Sequence, residues 1–380
     1  MTKRILYLVT EDWYFLSHRL PMARAAKAAG LEVHVAARMG TEQHAIETEG
    51  FIAHPLDWRR GSLNPFGNLG SVLQLRRLLS GVRPHILHNI AMKPVLLGSF
   101  AASGLQRIAI VNSLAGLGSI YLARSATGKL MKAGFVAALG RLIDRAGRRT
   151  IVQNPDDEAA LLQLGVAPSR ISLIPGSGVD TSALTPLPEP SGPVTAAFVG
   201  RMLEDKGLRA LMAAHGLLRA RDIRLRLLLA GTPDPENPTS ITLAELQGWA
   251  REPGVTWLGQ VPDIRKVWQQ AHFAVLPSRR EGLPKSLLEA AACGRAMVAT
   301  DAPGCREIAR HQQTGLLVPI DDAGALAQAM QRLTADADLR RRLGAAARTL
   351  AVGRFSAEAI GRQTVALYQD LLAEVEAGGS

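Results

Sequence analysis

The chain has 380 residues, 47% hydrophobic and 20% charged, with a formal net charge of +11. That length suits two domains of ordinary size, and the composition excludes collagen-like and disordered classes. Two cysteines, Cys293 and Cys305, are too few for a disulfide framework and have no His or Cys companions at metal-ligand spacing, which fits a reducing, cytosolic setting.

At the N-terminus, MTKRILYLVTEDWYF has an apolar run of only residues 5–9 and no small-residue cleavage site, so it does not read as a signal peptide. No uninterrupted apolar stretch of about 18 residues occurs, and no spanning helix is expected. RILYLVT reads as a buried strand, SHRLPMARAAKAAG as a helix stopped by Gly30, and LEVHVAAR as a second strand. Strand, helix and strand at this spacing make a βαβ unit with parallel pairing. HILHNI, IAIVNSL and RTIVQN are further candidate strands.

Charge is unevenly spread. Residues 1–180 hold 21 Lys+Arg against 12 Asp+Glu, and residues 59–149 hold 14 basic side chains and one acid, Asp144. Such a block attracts anions: nucleic acid, an anionic membrane face or phosphorylated substrates. Within it, residues 127–147 predict a helix striped by Leu130, Met131, Phe135, Leu139 and Leu142. Lys129, Lys132, Arg141, Arg145, Arg148 and Arg149 supply positive charge. The pattern fits a basic amphipathic helix resting on an anionic leaflet, and equally a core-packed helix with a solvated basic face.

Residues 181–193, TSALTPLPEPSGP, contain four prolines and read as a linker. The α/β pattern then restarts: VTAAFVGR, LRLLLAG, VTWLGQ, FAVLPS and AMVATDA as strands, LRALMAAHGLLRAR and LPKSLLEAAACG as helices. Residues 322–376 read as helical. The expected architecture is α/β, with two Rossmann-like domains at 1–180 and 194–354 facing a central cleft, and ligands outside the carboxyl ends of the strands.

The chemistry concentrates in the second half. In VGRMLEDKG (199–207), Gly200 allows a tight exit from a strand, and Arg201 and Lys206 stand near a helix N-terminus. Backbone N–H groups and the helix dipole favour an anion there. A forked guanidinium and a point-charge ammonium together suit a diphosphate, although two solvated surface cations would look the same. EGLPKSLLEA (281–290) places Glu281 on a turn with Gly282, Leu283 and Pro284, and Glu289 two helical turns later. Gly282 permits close backbone approach to a ligand, and Glu281 can accept from sugar hydroxyls. Glu289 sits in a largely apolar helix, where a carboxylate needs a partner; both hydroxyls of a ribose would serve.

VGRMLEDKG, EGLPKSLLEAAACGRAMVATDAPGCREI and TGLLVP, with the E-x7-E pattern at Glu281 and Glu289, resemble the signature of the GT4 retaining glycosyltransferases. IPGSGVD (174–180) resembles that family's GVD segment at the domain junction. The resemblance implies the GT-B fold, with a C-terminal segment, 355–380, whose helix packs back on the first domain. It implies donor-diphosphate contacts by Arg201 and Lys206, donor-sugar contacts by Glu281 and the Gly282–Pro284 backbone, and ribose contacts by Glu289. It also implies a nucleotide sugar as co-substrate, UDP being the commonest base carrier, with no cofactor. A donor phosphate oxygen helps deprotonate the acceptor in that family, so no dedicated base is assigned.

The first half matches less tightly. Where many members carry a Gly-Gly loop after the first strand, this chain has TEDWYFLSHRLP. FLSHR and HNIAMKP (88–94) resemble a bacterial subgroup building polysaccharide or glycan on polyprenyl-diphosphate carriers. His18, Arg19, His88 and Lys93 are then candidate acceptor contacts near the cleft. Asn112 and Ser113 stand where several relatives place a histidine, so Asn112 is a further candidate polar contact. GLGS (116–119) lacks the third glycine and the distal acid of a dinucleotide fingerprint.

No metal is expected, because two cations can neutralise the leaving diphosphate. The one D-x-D, Asp336 and Asp338, lies in the helical tail. The expected setting is cytoplasmic, peripheral at the inner membrane face. Two rivals remain: a sugar-nucleotide epimerase of the same shape, and a nucleic-acid binder using the basic half. Against the latter stand an aromatic content of 4% and the lack of a recognised binding module.

Overall fold

The computed structural model describes residues 2–58, 65–105, 107–114, 140, 143, 145 and 147–377. Two compact units emerge: Met1–Ser177 with Ala357–Ser380, and Gly178–Ser356. The basic helix expected over 127–147 falls outside the described residues but for 140, 143, 145 and 147, and GLGS (116–119) lies outside them altogether.

The first unit holds a seven-stranded sheet: β1 (Arg4–Glu11), β2 (Glu32–Arg38), β3 (Ile52–Pro55), β4 (Ile86–Ile90), β5 (Ala109–Ser113), β6 (Arg148–Val152) and β7 (Ile171–Leu173). Their spatial order is β3-β2-β1-β4-β5-β6-β7 and every pairing is parallel. Residues 5–9 of β1 are wholly buried, as a central parallel strand covered on both faces requires. Alternation then divides them. Ile5, Tyr7 and Val9 face one core with Phe15, Met22, Ile360, Tyr368 and Leu371. Leu6 and Leu8 face another with Leu75 and Leu79.

Helix Ala357–Ala377 belongs to this unit and packs on helix Leu20–Ala28. The approach is close: a Cβ on Gly361 would stand 2.8 Å from Ala25 Cβ. The continuous helix expected over 17–30 is instead two, Asp12–His18 and Leu20–Ala28, separated at Arg19 with φ −125° and ψ −11°. Pro21 explains the second start, since proline suits the first helical turn and not its interior. The edge strands β3 and β7 were not anticipated; IAHP and ISL are three or four residues long and only partly buried, so they carry little apolar signal.

The second unit holds β8 (Thr195–Val199), β9 (Arg226–Ala230), β10 (Val255–Gly259), β11 (Phe273–Leu276), β12 (Ala296–Thr300) and β13 (Gly315–Val318), ordered β10-β9-β8-β11-β12-β13 and all parallel. Expectation and structure agree on two parallel Rossmann-like sheets. The order reverses between β8 and β11, which makes their carboxyl ends the topological switch point. Residues 181–193 carry neither helix nor strand, as their prolines dictate. They are nonetheless fastened to this unit: Arg348 donates to Thr181 O and Leu184 O, Arg295 to Leu187 O and Pro188 O, and Arg340 grips Glu189 at 2.8 and 3.0 Å.

Candidate functional site

The switch point of the second unit gathers the second-half motifs. β8 ends at Val199; Gly200 and Arg201 follow, then the 3₁₀ turn Glu204–Lys206 and helix Leu208–Ala220. Gly207 joins turn to helix in the left-handed region at φ +74°. A Cβ there would lie 2.0 Å from Pro277 O, so only glycine lets this loop press against the loop after β11. The two loops are laced together: Arg279 N donates to Asp205 O at 2.9 Å, and Ser278 Oγ donates to the same carbonyl at 3.3 Å.

That contact brings Lys206 to Glu281. Lys206 Nζ lies 2.5 Å from Glu281 Oε1, which also accepts Ser278 Oγ at 2.5 Å. The Lys206 and Glu281 side chains are 21% and 11% exposed, so the pair is shielded without being sealed off. Glu281 is held from behind as well, its N–H donating to Pro303 O at 3.0 Å. Gly304, at φ +78°, permits this: a Cβ would stand 2.5 Å from Gly282 O and 2.7 Å from Glu281 O.

Arg201 donates through Nη1 to Asp234 Oδ2 at 2.6 Å, and its side chain is 42% exposed. Glu289 lies in helix Lys285–Ala292, 6% exposed, with Oε1 3.0 Å from Lys285 Nζ. Burial pushes the Glu289 carboxyl above its ordinary range, and the Lys285 ammonium draws it partly back. Leu283 and Pro284 are buried and lead into that helix. Gly200, Arg201, Lys206, Glu281, Gly282, Leu283, Pro284 and Glu289 therefore all lie on loops and a helix start following β8 and β11. Such an arrangement sets cations and carboxylates on neighbouring loops, a combination able to hold a diphosphate bearing sugars.

Sequence reasoning missed Asp234, Ser278, Lys285 and Gly304. Lys285 was legible, being four residues before Glu289 on a helix, where side chains meet. Asp234, in GTPDPE, and Gly304 had no local signal, because their partners are distant in sequence.

The first unit buries several of its candidates. His88 is fully buried on β4, with Nδ1 2.6 Å from Tyr368 Oη and Nε2 2.6 Å from Ser113 Oγ. Burial first, then the Arg19 charge, hold its imidazole well below its usual pKa. Asn112 is also fully buried, its Oδ1 accepting from Asn89 Nδ2 at 2.9 Å and Ser99 Oγ at 3.3 Å. His18 is half-buried and stacked on Tyr14 at 4.5 Å, while Arg19 is buried. Lys93 is half-buried, 5.8 Å from the Trp58 ring centroid, and burial lowers its pKa. Just before it, Ala91 is strained at φ +77°, its N–H donating to Ser113 O at 3.0 Å, so the carboxyl ends of β4 and β5 are tied.

Among the described residues no cluster of His, Cys, Asp and Glu could hold a metal, and no helix is long and apolar enough to cross a membrane.

Comparison with known proteins places this geometry. The family model "Glycosyl transferases group 1" matches residues 193–336, and "Glycosyl transferase 4-like" matches residues 4–146. EpsD of Bacillus subtilis, named as a glycosyltransferase, is 30% identical over 372 residues, covering 94% of this chain and 93% of its own. A Campylobacter jejuni enzyme named N,N'-diacetylbacillosaminyl-diphospho-undecaprenol alpha-1,3-N-acetylgalactosaminyltransferase is 27% identical over 354 residues, covering 87% of this chain and 91% of its own. Among solved structures, Anabaena HepE in complex with UDP and glucose matches with a TM-score of 0.77 and 18% identity, covering 96% of this chain and 99% of its own. At that identity the likeness shows the fold, which is GT-B.

Proposed function

Since this chain belongs to the group 1, GT4-like glycosyltransferases, we propose that it moves a hexose or N-acetylhexosamine from a UDP-sugar to a glycan acceptor with retention at the anomeric carbon. The acceptor in this reading is a polyprenyl-diphosphate-linked saccharide at the inner face of the membrane, and the pathway is polysaccharide or lipid-linked glycan assembly.

One observation carries the reading: Lys206 and Glu281 meet at 2.5 Å on loops that leave adjacent strands at the switch point, and Arg201 lies on the same loop as Lys206. An ammonium and a guanidinium there can take the charge that builds on a departing diphosphate. The bond from the anomeric carbon to the diphosphate oxygen breaks, and its electron pair leaves with the phosphate. The acceptor hydroxyl oxygen bonds to that carbon from the same face, and its proton passes to the departing phosphate oxygen. Glu281 holds sugar hydroxyls, Gly282, Leu283 and Pro284 offer backbone, and Glu289 accepts from the ribose.

UDP is supported by the ligand named in the HepE complex, and the lipid-linked acceptor by the name of the Campylobacter jejuni relative. The basic bias of residues 1–180 suits both an acceptor diphosphate and an anionic leaflet. No metal is assigned to the reaction and no nucleic acid to the protein.

The test incubates the enzyme with a panel of UDP-sugars and a polyprenyl-diphosphate-linked saccharide, and reads the product linkage by NMR. An α-linked product from an α-linked donor is expected. Conversion of the nucleotide sugar alone, with no acceptor consumed, would replace the transferase by an epimerase.

A further inference from the structure

Among the described residues of the first unit, the buried charge of Arg19 is left uncompensated. Arg19 is 2% exposed, and its guanidinium is charged at every working pH. Among the described residues no carboxylate pairs with it. Its one side-chain hydrogen bond runs from Nη2 to Tyr14 Oη at 3.4 Å, and its Nε is buried without an acceptor. Two other buried arginines show how such a charge is satisfied: Arg295 meets three backbone carbonyls, and Arg340 meets Glu189 and two carbonyls. A buried cation without partners is costly enough that a fold retaining one has an anion to receive.

The groups facing Arg19 cannot supply that anion. Among the described residues these are Tyr7, Tyr368 and His88, which join in one chain: Tyr7 Oη lies 3.1 Å from Tyr368 Oη, and Tyr368 Oη 2.6 Å from His88 Nδ1. Burial pushes both phenols away from ionisation and keeps the imidazole neutral. On its other side Arg19 has Tyr14, with Cζ 5.8 Å from the ring centroid, and Tyr14 in turn stacks on His18. Tyr14 and His18 are both half-buried, so this is the side that faces outward.

We propose that Arg19 forms the base of an anion subsite in the first unit that takes a phosphoryl group, with Tyr14 and His18 as its outer wall. The guanidinium donates to phosphoryl oxygens in forked geometry, and the Tyr14 hydroxyl turns to donate to the same group. The helix break at Arg19 is what delivers the side chain: a continuous helix over 17–30 would carry residue 19 on a different heading. The subsite is built from first-unit residues alone and shares none with the donor motif. Its biological ligand, the diphosphate of a lipid-linked acceptor, rests on the proposed function; its phosphoryl chemistry does not.

The test uses the full chain carrying Arg201→Ala and Lys206→Ala, which removes the cations of the donor motif. Inorganic pyrophosphate and a short prenyl diphosphate are titrated into it by calorimetry. Both bind, and adding Arg19→Met weakens each at least tenfold, while Arg19→Lys retains part of the affinity. Tighter binding of the prenyl compound identifies a lipid diphosphate as the ligand; equal affinities identify a free phosphate or pyrophosphate. In thermal melts without ligand, Arg19→Met is more stable than its parent, because the uncompensated charge has gone. Unchanged pyrophosphate affinity in Arg19→Met overturns the proposal, as does no binding to the parent. A lower melting temperature in Arg19→Met makes Arg19 structural and overturns it too. UDP titrated into the wild-type chain tests the donor reading separately.

Discussion

Lys206 Nζ and Glu281 Oε1 stand 2.5 Å apart although the residues are 75 positions apart in sequence. In the proposed reaction the ammonium meets phosphate oxygens and the carboxylate meets sugar hydroxyls. Removing the ammonium takes away charge that matters most in the transition state, typically ~10²–10³-fold in rate for one such donor. Lys206→Ala is therefore expected to lower kcat by that order, and Glu281→Gln to raise KM and lower kcat together. Because the two touch, the double variant should lose less than the product of the single losses. Steady-state kinetics, with circular dichroism as a folding control, checks all three.

Glu289 yields a pH prediction. Its folded carboxyl binds a proton more tightly than the ordinary value of 4.5 allows. The native state then binds more protons than the unfolded chain just above that value, and stability falls as pH rises through this window. Glu289→Gln should flatten the fall and leave the ligand-free protein at neutral pH at least as stable as wild type. Donor binding should fall at the same time, since an amide offers one neutral accepting oxygen where the carboxylate offers two charged ones. Urea unfolding at a series of pH values, paired with nucleotide titration, reads both effects.

Gly207 offers a steric test. Alanine there would drive a Cβ to 2.0 Å from Pro277 O at a backbone φ of +74°. The loops carrying Lys206 and Glu281 would have to part. Gly207→Ala is expected to cost about 1–3 kcal/mol of stability and to abolish donor binding. Gly216→Ala, in the following helix with open space at its Cβ, should be neutral or slightly stabilising. Denaturant midpoints separate the two.

Metal removal is the fourth prediction. In the proposed reaction Arg201 and Lys206 neutralise the leaving diphosphate, so turnover in EDTA should equal turnover in magnesium within about twofold. A rate that vanishes with chelation and returns with a divalent ion would assign the charge to a metal instead.

Much of this was legible in the sequence. Central strands announce themselves because both faces are buried, so RILYLVT and FAVLPS each hold an unbroken apolar run, residues 5–9 and 273–276. The edge strands IAHP and ISL do not, because one side is open and a few residues suffice. In the second unit, Glu281 and Glu289 lie in one motif whose helix sets their relation, and Gly200, Arg201 and Lys206 lie in another. What stayed hidden was tertiary: Asp234 on Arg201, Ser278 on Glu281, and the glycine at 304 that lets a distant loop approach. The first unit was less readable for the same reason. His88 and Lys93 sit five residues apart in one segment, yet the fold buries His88 against Tyr368 and leaves Lys93 beside Trp58.

The central claim is that Arg201, Lys206, Glu281 and Glu289 together grip a nucleotide diphosphate sugar. Its most direct measurement is calorimetric titration of UDP-sugars into wild type and into Lys206→Ala. Saturable binding to wild type, weakened at least tenfold in the variant, is predicted. Equal binding to both, or none to wild type across the panel of UDP-sugars, would contradict it.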